Sequence, residues 1–74
     1  MATLSNISGK NVVKAFECDG WMKVRQRGSH MIMVKEGSMV TLSVPDHKEV
    51  AKGTLRSLIR ASGLTVDEFI SLNR

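Results

Sequence analysis

Hydrophobic positions along this chain change their period twice, and each change marks a boundary between elements. Val12, Ala15 and Phe16 recur at helical spacing behind Ser8, a residue type that caps helix starts, and Ile7 is placed to reach Val12 as a hydrophobic staple. Gly20 predicts the end of this helix, because glycine accepts the left-handed conformation in which many helices finish. Over residues 21–26 the period falls to two. Met22 and Val24 alternate with Lys23 and Arg25, which predicts a strand with both cations pointing away from the core. Residues 31–34 are a second short run of strand formers, and Arg27-Gly28-Ser29 between the two runs is short enough for a hairpin. The polar break Lys35-Glu36-Gly37-Ser38 precedes a third strand, in which Val40, Leu42 and Val44 alternate with Thr41 and Ser43. Pro45 ends it, having no amide proton for a ladder.

A polar loop at 46–52 carries His47, and the helical period then returns with Leu55, Leu58 and Ile59 on one face. Arg56 and Arg60, four apart, share another face. Gly53 and Thr54 lie where this helix begins; Gly63 closes it, with Leu64 folding back towards Ile59 in the Schellman manner. Thr65 and Glu68 have capping-box spacing and Phe69 can staple onto Leu64, which opens a last short helix to about Leu72. Residues 1–6 show little periodicity and read as a loose lead-in. The order is α-β-β-β-α plus a short C-terminal helix, an α+β fold, with no internal repeat, low-complexity tract or linker.

The 74 residues form one domain, 1–74, and a chain this short hides only about 60% of the surface it would expose unfolded. It can therefore build one core. The helices must share one face of a three-stranded antiparallel sheet and leave the other face open, which is the arrangement of a double-stranded-RNA-binding domain.

Charge narrows the partners. Lys and Arg outnumber Asp and Glu by 11 to 7, with a pI near 9.7, which favours a polyanion. Cys18, the lone cysteine, excludes an internal disulfide and has no zinc-ligand spacing around it; it reads as core or helix surface in a reducing compartment. No apolar run approaches the roughly 18 residues of a membrane span and no signal-peptide pattern is present, so the expected location is cytoplasmic. With one tryptophan and no tyrosine, an aromatic base-stacking platform is excluded, and Trp21 reads as packing at the sheet edge. Met22, Met31, Met33 and Met39 cluster on the strands as pliable core filling, and any that face away from the helices offer a protein partner an apolar patch.

The candidate chemistry lies at one corner. Lys23, Arg25 and Arg27 lead to Gly28-Ser29, and His30 follows at once. An imidazole changes charge near neutrality, with an unperturbed pKa of about 6.5 for this residue type. Beside cations it can withdraw the proton of a ribose 2′-hydroxyl, whose oxygen then attacks the adjoining phosphorus. The competing reading is a packed histidine: its parity matches Ile32 and Val34, which in a regular strand is the side facing the helices. His47 is either an acid–base partner or an exposed loop histidine. Arg56 and Arg60 are either a phosphate-following ridge or a solvated helix face, and Gly53 and Thr54 either a phosphate site at a helix start or a simple cap. Three functions remain open on these residues: a nuclease, a non-catalytic RNA-binding module of the same fold, and a protein-interaction domain.

Several motifs occur together in a fixed order: Arg25-Gln26-Arg27-Gly28-Ser29-His30, Val44-Pro45 with His47 two residues on, Lys52-Gly53-Thr54-Leu55, and Ala61-Ser62-Gly63-Leu64-Thr65 with Phe69. In this the chain resembles the HicA (YcfA-like) toxin family of toxin–antitoxin pairs, over residues 8–69. The resemblance implies a double-stranded-RNA-binding-like mRNA interferase that needs no metal or other cofactor and is silenced by a HicB-type antitoxin. It implies His30 as the catalytic residue. Lys23, Arg25, Arg27, Gly28, Ser29, Arg56 and Arg60 are the candidate RNA-binding residues, read from their charge and their place in the chain. Many members carry a second histidine directly after the first. Met31 stands there in this chain, which leaves single-histidine chemistry and no tandem pair.

Overall fold

Ser8 caps the first helix as its residue type predicts, its Oγ accepting the Asn11 N–H at 3.1 Å. The computed structural model describes residues 6–72. Its elements are α1 (Gly9–Cys18), β1 (Trp21–Arg27), β2 (His30–Lys35), β3 (Leu42–Pro45), α2 (Lys52–Ser62) and α3 (Val66–Leu72). The expected lead-in lies outside the described residues up to position 5, and the chain is already anchored at Ile7, which is buried. Gly20, at φ +97°, takes the left-handed turn after α1, and Gly63, at φ +86°, does the same after α2. The capping box before α3 forms in both directions: Thr65 N–H donates to Glu68 Oε1 at 2.8 Å, and Glu68 N–H to Thr65 Oγ1 at 3.1 Å.

The strands form one antiparallel sheet in the order β1-β2-β3. All three helices contribute to a single core on one face, so the expected α+β, double-stranded-RNA-binding-like architecture is the observed one. At its centre Phe16 meets Trp21 edge-on at 6.3 Å and Phe69 at 5.2 Å. Met31 and Met33 of β2, Leu42 and Val44 of β3, and Leu55 and Ile59 of α2 fill the rest.

Which strand positions face that core differs from the sequence expectation. In β1 it is Trp21 that turns inward, 2% exposed, while Met22 and Val24 are 62% and 50% exposed. Trp21 offers far more apolar area than Met22, and Phe16 stands ready to receive it, so it takes the inward position at the start of the strand. A bulge between Lys23 and Arg25 then breaks the alternation. Side chains directly opposite on an antiparallel pair share a face. Lys23, opposite the buried Met33, and Gln26, opposite the buried Met31, therefore lie on the helix side, and Arg25, opposite Ile32, lies on the open side. The expectation that Lys23 joins Arg25 on the open face is corrected by this register.

Three smaller differences concern single positions. Val40 lies before β3 and is exposed; its N–H donates to Ser38 Oγ at 3.1 Å, a local bond that competes with ladder pairing. The second helix begins at Lys52, one residue early, with Ala51 as an N-cap that makes no side-chain bond, so Thr54 is not the cap. The polar loop after β3 buries Val50, whose N–H donates to the Ile7 carbonyl at 2.8 Å.

Candidate active site

The corner between β1 and β2 is a two-residue loop, with Arg27 and His30 as the last opposed pair. Gly28 has φ +58° and Ser29 has negative φ, the pattern of a hairpin turn that calls for glycine at its first position. The corner is tied down from two sides. Gln26 Nε2 donates to the Gly28 carbonyl at 3.2 Å and to Asp46 Oδ2 at 3.3 Å, and the Asp46 N–H donates to the Ser29 carbonyl at 2.6 Å. Asp46 directly follows β3, so the third strand holds the turn that presents the histidine.

His30 is exposed. Because Met31 and Met33 are the buried residues of β2, His30 has the opposite parity and stands on the open face with Ile32 and Val34. The packed-histidine reading assumed that this parity faced the helices, and the structure corrects it. Arg27 is directly across the ladder from His30, and Arg25, opposite Ile32, follows on the same face. Arg27, His30, Ile32 and Ser43 line a shallow depression of about 300 Å³ at the end of the sheet. An imidazole, a guanidinium and a hydroxyl thus border one solvent-open hollow, wide enough for a phosphodiester and its ribose.

The other expected residues are placed elsewhere. Lys23 is on the helix side, its Nζ donating to Gln26 Oε1 at 3.2 Å. Arg56 and Arg60 are exposed on α2 and line a different depression with Leu64, Thr65 and Val66, towards α3. His47 is exposed and does not border the His30 hollow; its carbonyl accepts the Gly9 N–H at 2.9 Å, which ties the start of α1 to the end of β3. Sequence reasoning missed Ser43, Gln26 and Asp46. Gln26 lies inside the corner motif itself, but its bond to Asp46 spans 20 residues and has no local signature. Cys18 is exposed on α1. Among the described residues no three His, Cys, Asp or Glu side chains are grouped to hold a metal ion, and no helix is long and apolar enough to cross a membrane.

Comparison with known proteins bears on the family and the fold. The family described as the HicA toxin of bacterial toxin–antitoxin systems matches residues 9–64. A chain of a toxin–antitoxin complex from Streptococcus pneumoniae is similar in structure, with a TM-score of 0.69 and 34% sequence identity over 77% of this chain and 97% of that one. No curated protein sequence matches.

Proposed function

This chain belongs to the HicA toxin family of bacterial toxin–antitoxin systems, and from that premise we propose that it is an endoribonuclease that cuts mRNA without a metal. His30 acts as the acid–base residue. With RNA bound, its imidazole takes the proton of a ribose 2′-hydroxyl, and the 2′-oxygen attacks the adjoining phosphorus as the bond from phosphorus to the 5′-oxygen breaks. The products are a 2′,3′-cyclic phosphate and a 5′-hydroxyl. The leaving oxygen takes its proton from water, which the open hollow admits, and the imidazolium returns its own proton to solvent.

Arg27 and Arg25 stabilise the charge that gathers on the phosphoryl oxygens, since guanidinium groups hold phosphate through charge-assisted bonds. Gly28 keeps the corner low enough for the RNA backbone to approach. The observation that carries this reading is the pairing of an exposed His30 with Arg27, directly opposite it at the end of the ladder. The nucleophile belongs to the RNA, which explains how so few protein groups suffice.

The partner that silences the toxin is, on this reading, a HicB-type antitoxin acting in the cytoplasm. Met22 and Val24 are exposed beside Arg25, so an antitoxin seated on them can bury apolar area while it blocks the hollow.

The test is His30→Ala, assayed on an oligoribonucleotide and by growth arrest in cells. The expected result is loss of both, with RNA affinity and the thermal melt retained. Cleavage by the variant at the parental rate removes His30 from the mechanism. Binding of RNA by the parental protein with no cyclic-phosphate product makes the chain a non-catalytic RNA-binding module instead.

A further inference from the structure

The bulge in β1 divides the hairpin's cations between two faces. Arg25 and Arg27 stay with His30, and Lys23 turns to the side of α1. There it meets Lys10 and Lys14 in a groove of about 290 Å³ between α1 and β1, floored by Val13 and Met31. Gln26 and the carboxylates of Asp46 and Glu17 also border this groove. Among the described residues the one salt bridge is Lys35 with Asp19. Among the same residues Lys23 bonds only the neutral Gln26 amide, and no carboxylate lies within salt-bridge distance of the groove's three ammonium groups.

We propose that this groove is a second phosphate-binding site, which carries single-stranded RNA running on from the scissile linkage around the β1 edge. The proposal rests on the endoribonuclease reading for the identity of the ligand. Its geometry is that of a track. Lys10 and Lys14 are four residues apart on one helix face and therefore about 6 Å apart along the axis, comparable with the step between phosphates in an extended strand. Lys23 and Gln26 continue the row towards the Gly28-Ser29 corner, on whose other side His30 stands. Lysine ammoniums suit a backbone whose phosphates arrive without fixed register, since each acts as a point charge.

A protein segment is the poorer fit. Val13 and Met31 are already buried, so a peptide in the groove gains little apolar contact. Glu17 and Asp46 line the same groove and restrict where phosphates can sit, and Asp46 is already engaged by Gln26 Nε2 at 3.3 Å.

The experiment uses His30→Ala protein, which holds RNA intact, and measures fluorescence anisotropy with a labelled single-stranded oligoribonucleotide over a range of salt. The variant carries Lys10→Ala and Lys14→Ala in addition. A control carries Lys48→Ala and Lys52→Ala, which remove the same charge from exposed positions outside the groove. Each phosphate contact on a single strand contributes about 0.7 to the slope of log affinity against log salt. Loss of two contacts should lower the slope by about 1.4, so that the variant loses about sevenfold less affinity than its parent between about 50 and 200 mM salt.

The control should keep the parental slope. A groove variant whose slope and affinity equal the parent's overturns the proposal, as does one that binds RNA normally but has lost its antitoxin. Either result leaves the His30 assignment standing. Conversely, a chain with His30 intact that binds RNA but fails to cleave it, while the groove variant shows the smaller slope, refutes the nuclease and keeps the track.

Discussion

Gly9→Ala should destabilise this protein, although alanine is the better helix former and Gly9 lies in α1. The glycine is needed for space, since its backbone is not in the left-handed region. It is buried at the first position of the helix, and its N–H donates to the His47 carbonyl at 2.9 Å. A Cβ built there overlaps the Pro45 carbonyl oxygen and lies 3.0 Å from its carbon and 3.1 Å from Asp46 Cα. All three atoms are backbone, so no side chain can swing aside.

Helix propensity returns at most about 1 kcal/mol, and less at a first-turn position. Overpacking costs about 1–3 kcal/mol, and stretching the bond to His47 adds about 0.5–1.5 kcal/mol. The net loss is about 2 kcal/mol, which for a domain of this size lowers Tm by about 10 °C. Circular-dichroism melts of Gly9→Ala and Gly53→Ala make the comparison. Gly53 is also helical but has nothing within 4 Å of its built Cβ, so alanine there should stabilise by about 0.5 kcal/mol. A Gly9→Ala protein that melts at or above the parental temperature refutes the packing argument.

Other outcomes follow from the strand faces, the caps and the hollow. Met33→Ala should cost about 2–5 kcal/mol, and Met22→Ala, on the exposed side of its strand, within about 0.5 kcal/mol; urea titration separates them, and equal losses would mean that the faces are assigned wrongly. Thr65→Ala removes the acceptor for the Glu68 N–H and should cost about 1 kcal/mol, seen as earlier hydrogen exchange in α3; exchange at the parental rate would leave the capping box without energetic weight. Arg27→Ala should lower kcat for RNA cleavage by about a hundredfold or more, and a change confined to KM would make Arg27 a binding group only. Cleavage should persist with a metal chelator present, since the proposed nucleophile and base are a ribose hydroxyl and His30; loss that added metal restores would contradict that chemistry.

The parts of the fold that were legible in the sequence are those fixed by short-range bonds. Ser8, Gly20, Gly63 and the Thr65–Glu68 pair each act over a few residues, and each forms as its spacing predicts. The strand faces were less legible, because alternation fixes a period and leaves the choice of inward side to tertiary packing. Trp21 made that choice in β1 and the bulge reversed it three residues later. Lys23, ahead of the bulge, keeps the inward side of Trp21, and Arg25, past it, lies on the open side. Val50 was hidden for a related reason: a single apolar residue in a polar loop has no period, and its burial depends on the remote Ile7 carbonyl. At the candidate site the corner and its histidine could be read from adjacent residues, whereas Asp46 and Ser43 come from β3 and its end, a strand away in space and well separated along the chain.

Trp21 has a practical use. The chain's one indole is sealed against Phe16 and pairs with Lys35 at the end of the ladder opposite the Arg27–His30 pair, about 20 Å away along the strand. Its emission should therefore shift to the red when the chain unfolds and stay constant when oligonucleotide fills the hollow. An intrinsic fluorophore thus distinguishes a variant that has lost its fold from one that has lost only its chemistry, with no label attached.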